Sequence, residues 1–326
     1  MNPALSVIFF TVMSGTGYGL LFLLGAGLAL EPAFISHNEA LVVLITGLAC
    51  ASAGLLSSTL HLGQPQRAWR AFSQWRSSWL SREGVVAMCG FVPALLLGLV
   101  LWTNRDAGSL RVFGAIVALF SIATVVCTAG IYFSLKTIHA WHNRFVLPGY
   151  LLLGLLGGCV WLLALLELLG APAAHPILTN VLCVLMLVAA LCSIALKRVY
   201  WHFIDTTKHP ASTESATGLG RFGSVRSVEA PHTEQNYLTN EMGFMLARKH
   251  AKRLRAIASI LIGLIPVIAA VAVWLLEPAW SSMALVCAIV GALAATLGLF
   301  VERWLFFAEA RHAVMLYYGV AQPVSA

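Results

Sequence analysis

The chain has 326 residues, of which 60% are hydrophobic and only 10% charged, with a formal net charge of +7. Soluble domains carry about 25% charged residues, so this composition excludes a water-soluble globular protein and assigns most of the surface to lipid. The positive charge lies between apolar segments, where it reads as membrane topology and not as a nucleic-acid surface.

Apolar segments fall at 5–30, 39–60, 84–103, 112–134, 147–169, 177–197, 256–276 and 280–307. A helix needs about 20 residues to cross the hydrocarbon layer, and each run meets that length. The runs are continuously apolar, which favours helices over the alternating strands of a barrel. The sequence therefore predicts an all-α polytopic membrane protein of about eight transmembrane helices. They are expected to form two four-helix bundles in a single integral membrane domain, 1–326.

The first segment has no Lys or Arg and is too long for a cleaved signal core. Ser14, Gly15, Thr16, Gly17, Tyr18 and Gly19 lie in its middle. Small residues there favour close helix packing over ligand contact.

The connection 61–83 is the most informative stretch. It reads His61-Leu-Gly-Gln-Pro-Gln-Arg-Ala68, followed by Trp69, Phe72, Trp75, Trp79 and Ser81-Arg-Glu83. Drawn as an α-helix, the four aromatic residues share one arc, with Arg67, Arg70 and Arg82 off it and Arg76 inside it. An aromatic face with a basic back suits an interfacial connector. His61 closes the second segment and Glu83 opens the third, so an imidazole and a carboxyl lie at the same membrane depth. Such groups can exchange protons with a quinone head group, whose reduction takes two electrons and two protons. A satisfied polar residue at a helix end remains the plainer reading of a single histidine.

Tyr132 lies at matching depth near the end of the fourth segment. It is placed either to hydrogen-bond a quinone carbonyl or to sit in the interfacial aromatic belt. His139, His142 and Arg144 follow in a short loop. The long loop 198–255 alone has soluble composition, and it ends in a basic run from Arg248 to Arg255 that suits a membrane surface. In the last segment Glu302 and Glu309 share a helix face, with His312 beyond them. An ionisable group inside a span is expensive, so Glu302 is either functional or paired with Arg303 or a neighbouring helix.

The seven cysteines lie in apolar runs without a C-x-x-C pair, the pattern of small buried residues. No iron–sulfur cluster, zinc site or disulfide framework is expected on this chain. No histidine lies mid-span, so no haem is expected either, although several histidines gather near one membrane edge. Eighteen of the Lys and Arg residues fall in even-numbered loops or at their helix ends; only Arg105 and Arg111 fall on the other side. The positive-inside rule then makes both termini cytoplasmic.

The string His61-Leu-Gly-x-Pro-x-Arg-Ala68 with Ser81-x-Glu83 resembles the membrane anchor subunit of dimethyl sulfoxide reductase, and the eight-span plan is similar over nearly the whole chain. The resemblance implies the following expectations. The chain lies in a bacterial inner (cytoplasmic) membrane, in contact with lipid, and binds ubiquinone or menaquinone. His61 and Glu83 act at that site, with Arg67, Trp79, Tyr132 and His139 as further candidates for quinone contact. A ferredoxin-like iron–sulfur subunit docks on it, and a molybdopterin catalytic subunit docks on that. The clusters and molybdopterin then belong to the partners, and this chain carries no metal.

Three more strings, Ser134-Leu-Lys-Thr-Ile-His-Ala-Trp-His142, Glu229-Ala-Pro-His-Thr-x-x-Asn-Tyr237 and Glu302-Arg-Trp-Leu-Phe-Phe-Ala-Glu-Ala-Arg-His312, are similar to the branch of that family serving cytoplasmic sulfite oxidation. The alternatives are a reductase anchor that oxidises quinol, a structural anchor without a quinone site, or a secondary transporter. Transporters keep their polar residues near the midplane, whereas here they cluster at one edge.

Overall fold

A computed structural model describes residues 4–103, 106–207, 212–225, 228–229, 246–277 and 281–318, with backbone alone for His61, 246–249 and 317–318. The string 230–237 lies outside the described residues, as does much of the loop 198–255. Among the described residues, eight helices are long and apolar enough to span a membrane: α1 (Leu5–Leu30), α2 (His37–Leu60), α3 (Trp79–Trp102), α4 (Ala107–Phe133), α5 (Val146–Leu168), α6 (Pro176–Thr206), α7 (His250–Leu276) and α8 (Ser281–Ala308).

The helices form two groups that share a seam. Helix α1 packs on α2 and α4, and α3 packs on α4; in the second group α5, α6, α7 and α8 pack in a ring. Helix α1 also packs along α5, which joins the groups. Glycine makes that junction possible. A Cβ on Gly19 would land on the carbonyl of Gly154 in α5, and one on Gly158 would meet Gly19. On the other side of α1, a Cβ on Gly17 would come 2.5 Å from the Ala51 amide nitrogen of α2. Lipid is as apolar as leucine, so membrane helices gain from close backbone approach rather than from burying oil. The packing role expected for residues 14–19 is what α1 displays.

Several boundaries differ from the sequence expectation. Helix α6 does not stop at 197 but continues to Thr206. Its last turns still bury Lys197, Tyr200 and Trp201 on one face, so tertiary packing extends the helix past the apolar run. Helix α3 begins at Trp79, capped by the Ser78 side chain, which accepts from the Ser81 amide. Glu83 therefore lies in its second turn rather than at its start. Helix α7 carries a π turn at Ile260–Leu264 just before Pro266, whose ring cannot fit the normal contact with the carbonyl four residues back.

The connector also differs in kind. Pro65–Gln74 is a 3-10 helix, in which residues three apart eclipse one another. Trp69 and Phe72, with Trp75 at the helix end, thus form one exposed row, and Arg67 and Arg70 form another.

Candidate functional site

Glu83 points inward from α3 and is only 4% exposed. Its carboxyl meets the Thr128 hydroxyl of α4, which donates to Glu83 Oε1. The same hydroxyl lies 3.0 Å from the Thr124 carbonyl one turn back. A threonine hydroxyl has one proton to give and can also accept. Thr128 can therefore donate to an ionised Glu83. When Glu83 holds a proton, Thr128 can accept it and turn its own proton to Thr124. The pair is satisfied in both protonation states, which a carboxyl that exchanges protons requires.

The residues before Glu83 fasten the connector to α3. The Ser81 hydroxyl donates to the Ala71 carbonyl. Arg82 donates from Nε to the Trp75 carbonyl at 3.1 Å and from Nη2 to the Arg76 carbonyl at 2.7 Å. The Arg82 guanidinium stands 4.5 Å over the Trp79 ring. Trp79 itself lies on Gly130 of α4, where any Cβ would strike its ring, and meets Phe133 edge-on. Phe72 reaches back to Gly84. Ser81, Arg82 and Glu83 thus divide the work: two clamp the connector and the third faces the interior.

The other expected residues are spread over this end of the bundle. His61 ends a 3-10 turn, Ser58–His61, at the foot of α2; its side chain lies outside the described residues. Arg67 is exposed on the connector. Tyr132 is buried rather than in an interfacial belt. It stacks on Tyr150 of α5 at 5.6 Å and meets Trp141, Phe306 and Phe307 edge-on, a cluster that spans both helix groups. His139 lies against Phe203 of α6, 5.0 Å between ring centroids. The loop carrying His139 is folded inward, with Ile138, Ala140 and Trp141 buried. Trp141 Nε1 donates to the Phe306 carbonyl and the Tyr200 hydroxyl donates to the Ala140 carbonyl, each at 3.0 Å.

A cluster that the sequence only half revealed lies deeper. Glu302 of α8 is fully buried and pairs with both Arg303, at 2.7 Å, and Lys197 of α6. Lys197 stands 4.2 Å over the Tyr200 ring, and Arg303 stands 4.2 Å over the Tyr150 ring. Toward the surface, Arg255 of α7 bridges Asp205 at the end of α6, at 2.6 Å, and Glu309, at 2.9 Å. Burial pushes the Glu309 carboxyl up, and the Arg255 charge opposes that shift. Burial also lowers the Arg311 guanidinium. Local spacing flagged Glu302 and Glu309. It could not find Lys197 or Arg255, because a cation at the end of an apolar run reads as an interfacial anchor.

At the opposite end Glu39 meets His175 at 3.3 Å. All seven cysteines are free. Among the described residues no three His, Cys, Asp or Glu side chains come together to hold a metal ion.

These features define a class: a polytopic helical membrane protein that encloses a carboxyl and a charge cluster between its spans toward one end of the bundle. The chain belongs to the DMSO reductase anchor subunit (DmsC) family, which it matches over residues 1–319. It is also similar to a sulfite dehydrogenase subunit of Allochromatium vinosum, with 30% identity over 333 residues, covering 98% of this chain and 99% of that protein. The family resemblance read from residues 61–83 thus extends over the whole chain, which is a membrane anchor subunit of an oxidoreductase complex.

Proposed function

We propose that this anchor subunit carries a quinone-reactive site at the connector end, and that Glu83 handles protons there. The carrying observation is the buried Glu83–Thr128 pair, which accommodates a carboxyl with or without its proton. Quinone is a substrate of this site: Q + 2 e⁻ + 2 H⁺ gives QH₂. A ferredoxin-like iron–sulfur subunit docks on the connector face and delivers the electrons. The Glu83 carboxyl gives a proton to a quinone oxygen and regains one afterwards. His61, at the foot of the neighbouring span, is the second proton donor. Trp79 and Arg67 border the head group, while Tyr132 and His139 act from the inward-folded side.

The electrons originate at a molybdopterin subunit, where sulfite and water become sulfate with release of two electrons and two protons. Two observations support sulfite. One is the similarity to a sulfite dehydrogenase subunit. The other is the charge asymmetry, which by the positive-inside rule favours a cytoplasmic side for the connector, the long loop and both termini. The test is Glu83→Gln in the whole complex. Electron transfer from sulfite to quinone should fall about a hundredfold or more, as expected for loss of a positioned proton donor, while transfer from sulfite to a soluble dye persists. Quinone reduction at the unaltered rate would overturn the reading.

A further inference from the structure

The Glu83 site needs a source of protons, and the interior holds polar groups that the quinone reading leaves unused. One cavity is lined by Ser14, Tyr18, Thr128, Tyr150 and Arg303 among others, so it begins at the partner of Glu83. A second is lined by Tyr150, Lys197, Tyr200 and Arg303 with apolar neighbours. Tyr150 and Arg303 belong to both, and each cavity has room for about one water molecule. Tyr18 Oη, Tyr150 Oη and Arg303 Nη1 are buried and lack a partner in full hydrogen-bonding geometry, although Thr124 lies beside Tyr18 and Arg303 beside Tyr150. Buried polar groups of this kind are satisfied by ordered water where a polar space of that size adjoins them.

We infer that water in these two cavities joins Glu83 to Glu302, forming an interior proton path from the quinone site to the Asp205–Arg255–Glu309 cluster at the surface. The inference rests on the proposed role of Glu83. In order, the path runs from Glu83 to Thr128, through the first cavity past Tyr18 to Tyr150, and through the second to Lys197, which pairs with Glu302 and lies near enough to Glu309 to feel its charge. Asp205, whose side chain is 54% exposed, exchanges with solvent. When Glu83 gives its proton to the quinone, a hydroxyl or water of the first cavity returns one to the carboxylate. Each group behind it is refilled in turn, so one proton enters at the surface for each one lost. No electron moves along this path. Arg303 stays charged throughout; it orients the waters and holds the Glu302 carboxylate. A charge cluster fully enclosed between spans is costly, and a relay gives it a use that anchoring in lipid does not.

The test uses the complete complex in proteoliposomes, with sulfite as donor and decylubiquinone as acceptor. Tyr150→Phe is the main variant, because it deletes the hydroxyl of the tyrosine that borders both cavities and keeps the ring; Glu302→Gln is the second. Sulfite-to-quinone turnover should fall about tenfold or more, with the KM for decylubiquinone unchanged and transfer to a soluble dye unaltered. Millimolar azide, a small diffusible proton carrier, should restore several-fold of the lost rate. Turnover of Tyr150→Phe at the unaltered rate, or a loss that azide does not rescue, would overturn the path. If Glu302→Gln fails to assemble, Tyr150→Phe decides alone. A defective Glu83→Gln beside a fully active Tyr150→Phe removes the path only, whereas an active Glu83→Gln removes the quinone assignment itself.

Discussion

Lys197 of α6 and Glu302 of α8 form an ion pair that solvent does not reach, with side-chain exposures of 7% and 0%. Glu302 has a second partner in Arg303, so one carboxylate offsets two cations. The cluster is therefore asymmetric, and removing different members has unequal cost. Without Glu302, Lys197 and Arg303 are both buried and uncompensated, a change that costs about 3–5 kcal/mol. Without Lys197, Glu302 keeps Arg303. Glu302→Leu should thus lower the unfolding temperature of the detergent-solubilised subunit well beyond Lys197→Met. Equal losses would mean that the charges are not coupled as the distances imply.

The junction between the two helix groups rests on backbone contact between α1 and α5. A side chain at Gly19 has nowhere to go, since the obstacle is the Gly154 carbonyl rather than a movable side chain. Overpacking a tight contact costs about 1–3 kcal/mol or more. Gly19→Val should therefore reduce thermal stability and yield of the assembled protein. Gly63→Ala should do neither, because a Cβ there meets nothing within 4 Å. A Gly19→Val protein as stable as its parent would show that the groups can separate without loss.

Much of the architecture was legible because a membrane span has a fixed length and a continuous apolar composition. Helix ends were less so: α6 passes Lys197 because Tyr200 and Trp201 still pack inward, information held by the neighbouring helices. The connector was legible as aromatic and basic, but its winding was not. A spacing of three fits both helix types until Pro65 and the packing of Phe72 on Gly84 choose one. Glu83 was singled out as a carboxyl opening the third segment, and the structure buries it in the second turn of α3, yet its partner Thr128 was not singled out. A threonine inside a helix ordinarily returns its hydroxyl to its own backbone, as Thr128 also does with Thr124. Arg255 with Asp205 and Lys197 with Glu302 are contacts between distant segments, and no local pattern encodes them.

Glu214 organises the described part of the long loop. It accepts from the Val225 amide at 3.1 Å, while Thr213 donates to the Val225 carbonyl. Hydrogen bonds from its own amide and that of Val225, the largest influences, hold the carboxyl down at about 2. An unfolded glutamate titrates near about 4.3. A depressed folded value means that the ordering is fully present above the unfolded value and is lost as pH falls through about 2. At pH 6, Glu214→Gln should expose the Val225 amide to faster hydrogen exchange than in the parent chain. The difference should shrink as both are taken toward pH 2. A pH-independent difference would assign the order of this loop to contacts other than the carboxylate.

The two rows of the connector make a prediction about orientation as well as depth. Trp69 and Arg70 are adjacent in sequence but belong to different rows of the 3-10 helix, and the guanidinium of Arg70 lies beside the Trp69 ring at 5.7 Å. Aromatic side chains settle into the interfacial region, whereas arginine reaches toward water and lipid phosphates. An impermeant maleimide should therefore label Arg70→Cys several-fold faster than Trp69→Cys, each measured above the unsubstituted chain. The positive-inside rule adds that labelling should need the cytoplasmic surface, in inside-out vesicles, and fail in right-side-out ones. Equal labelling at both positions would remove the amphipathic reading of the connector. Labelling from the outer side alone would reverse the chain in the membrane and take away the topological support for a cytoplasmic sulfite-oxidising partner.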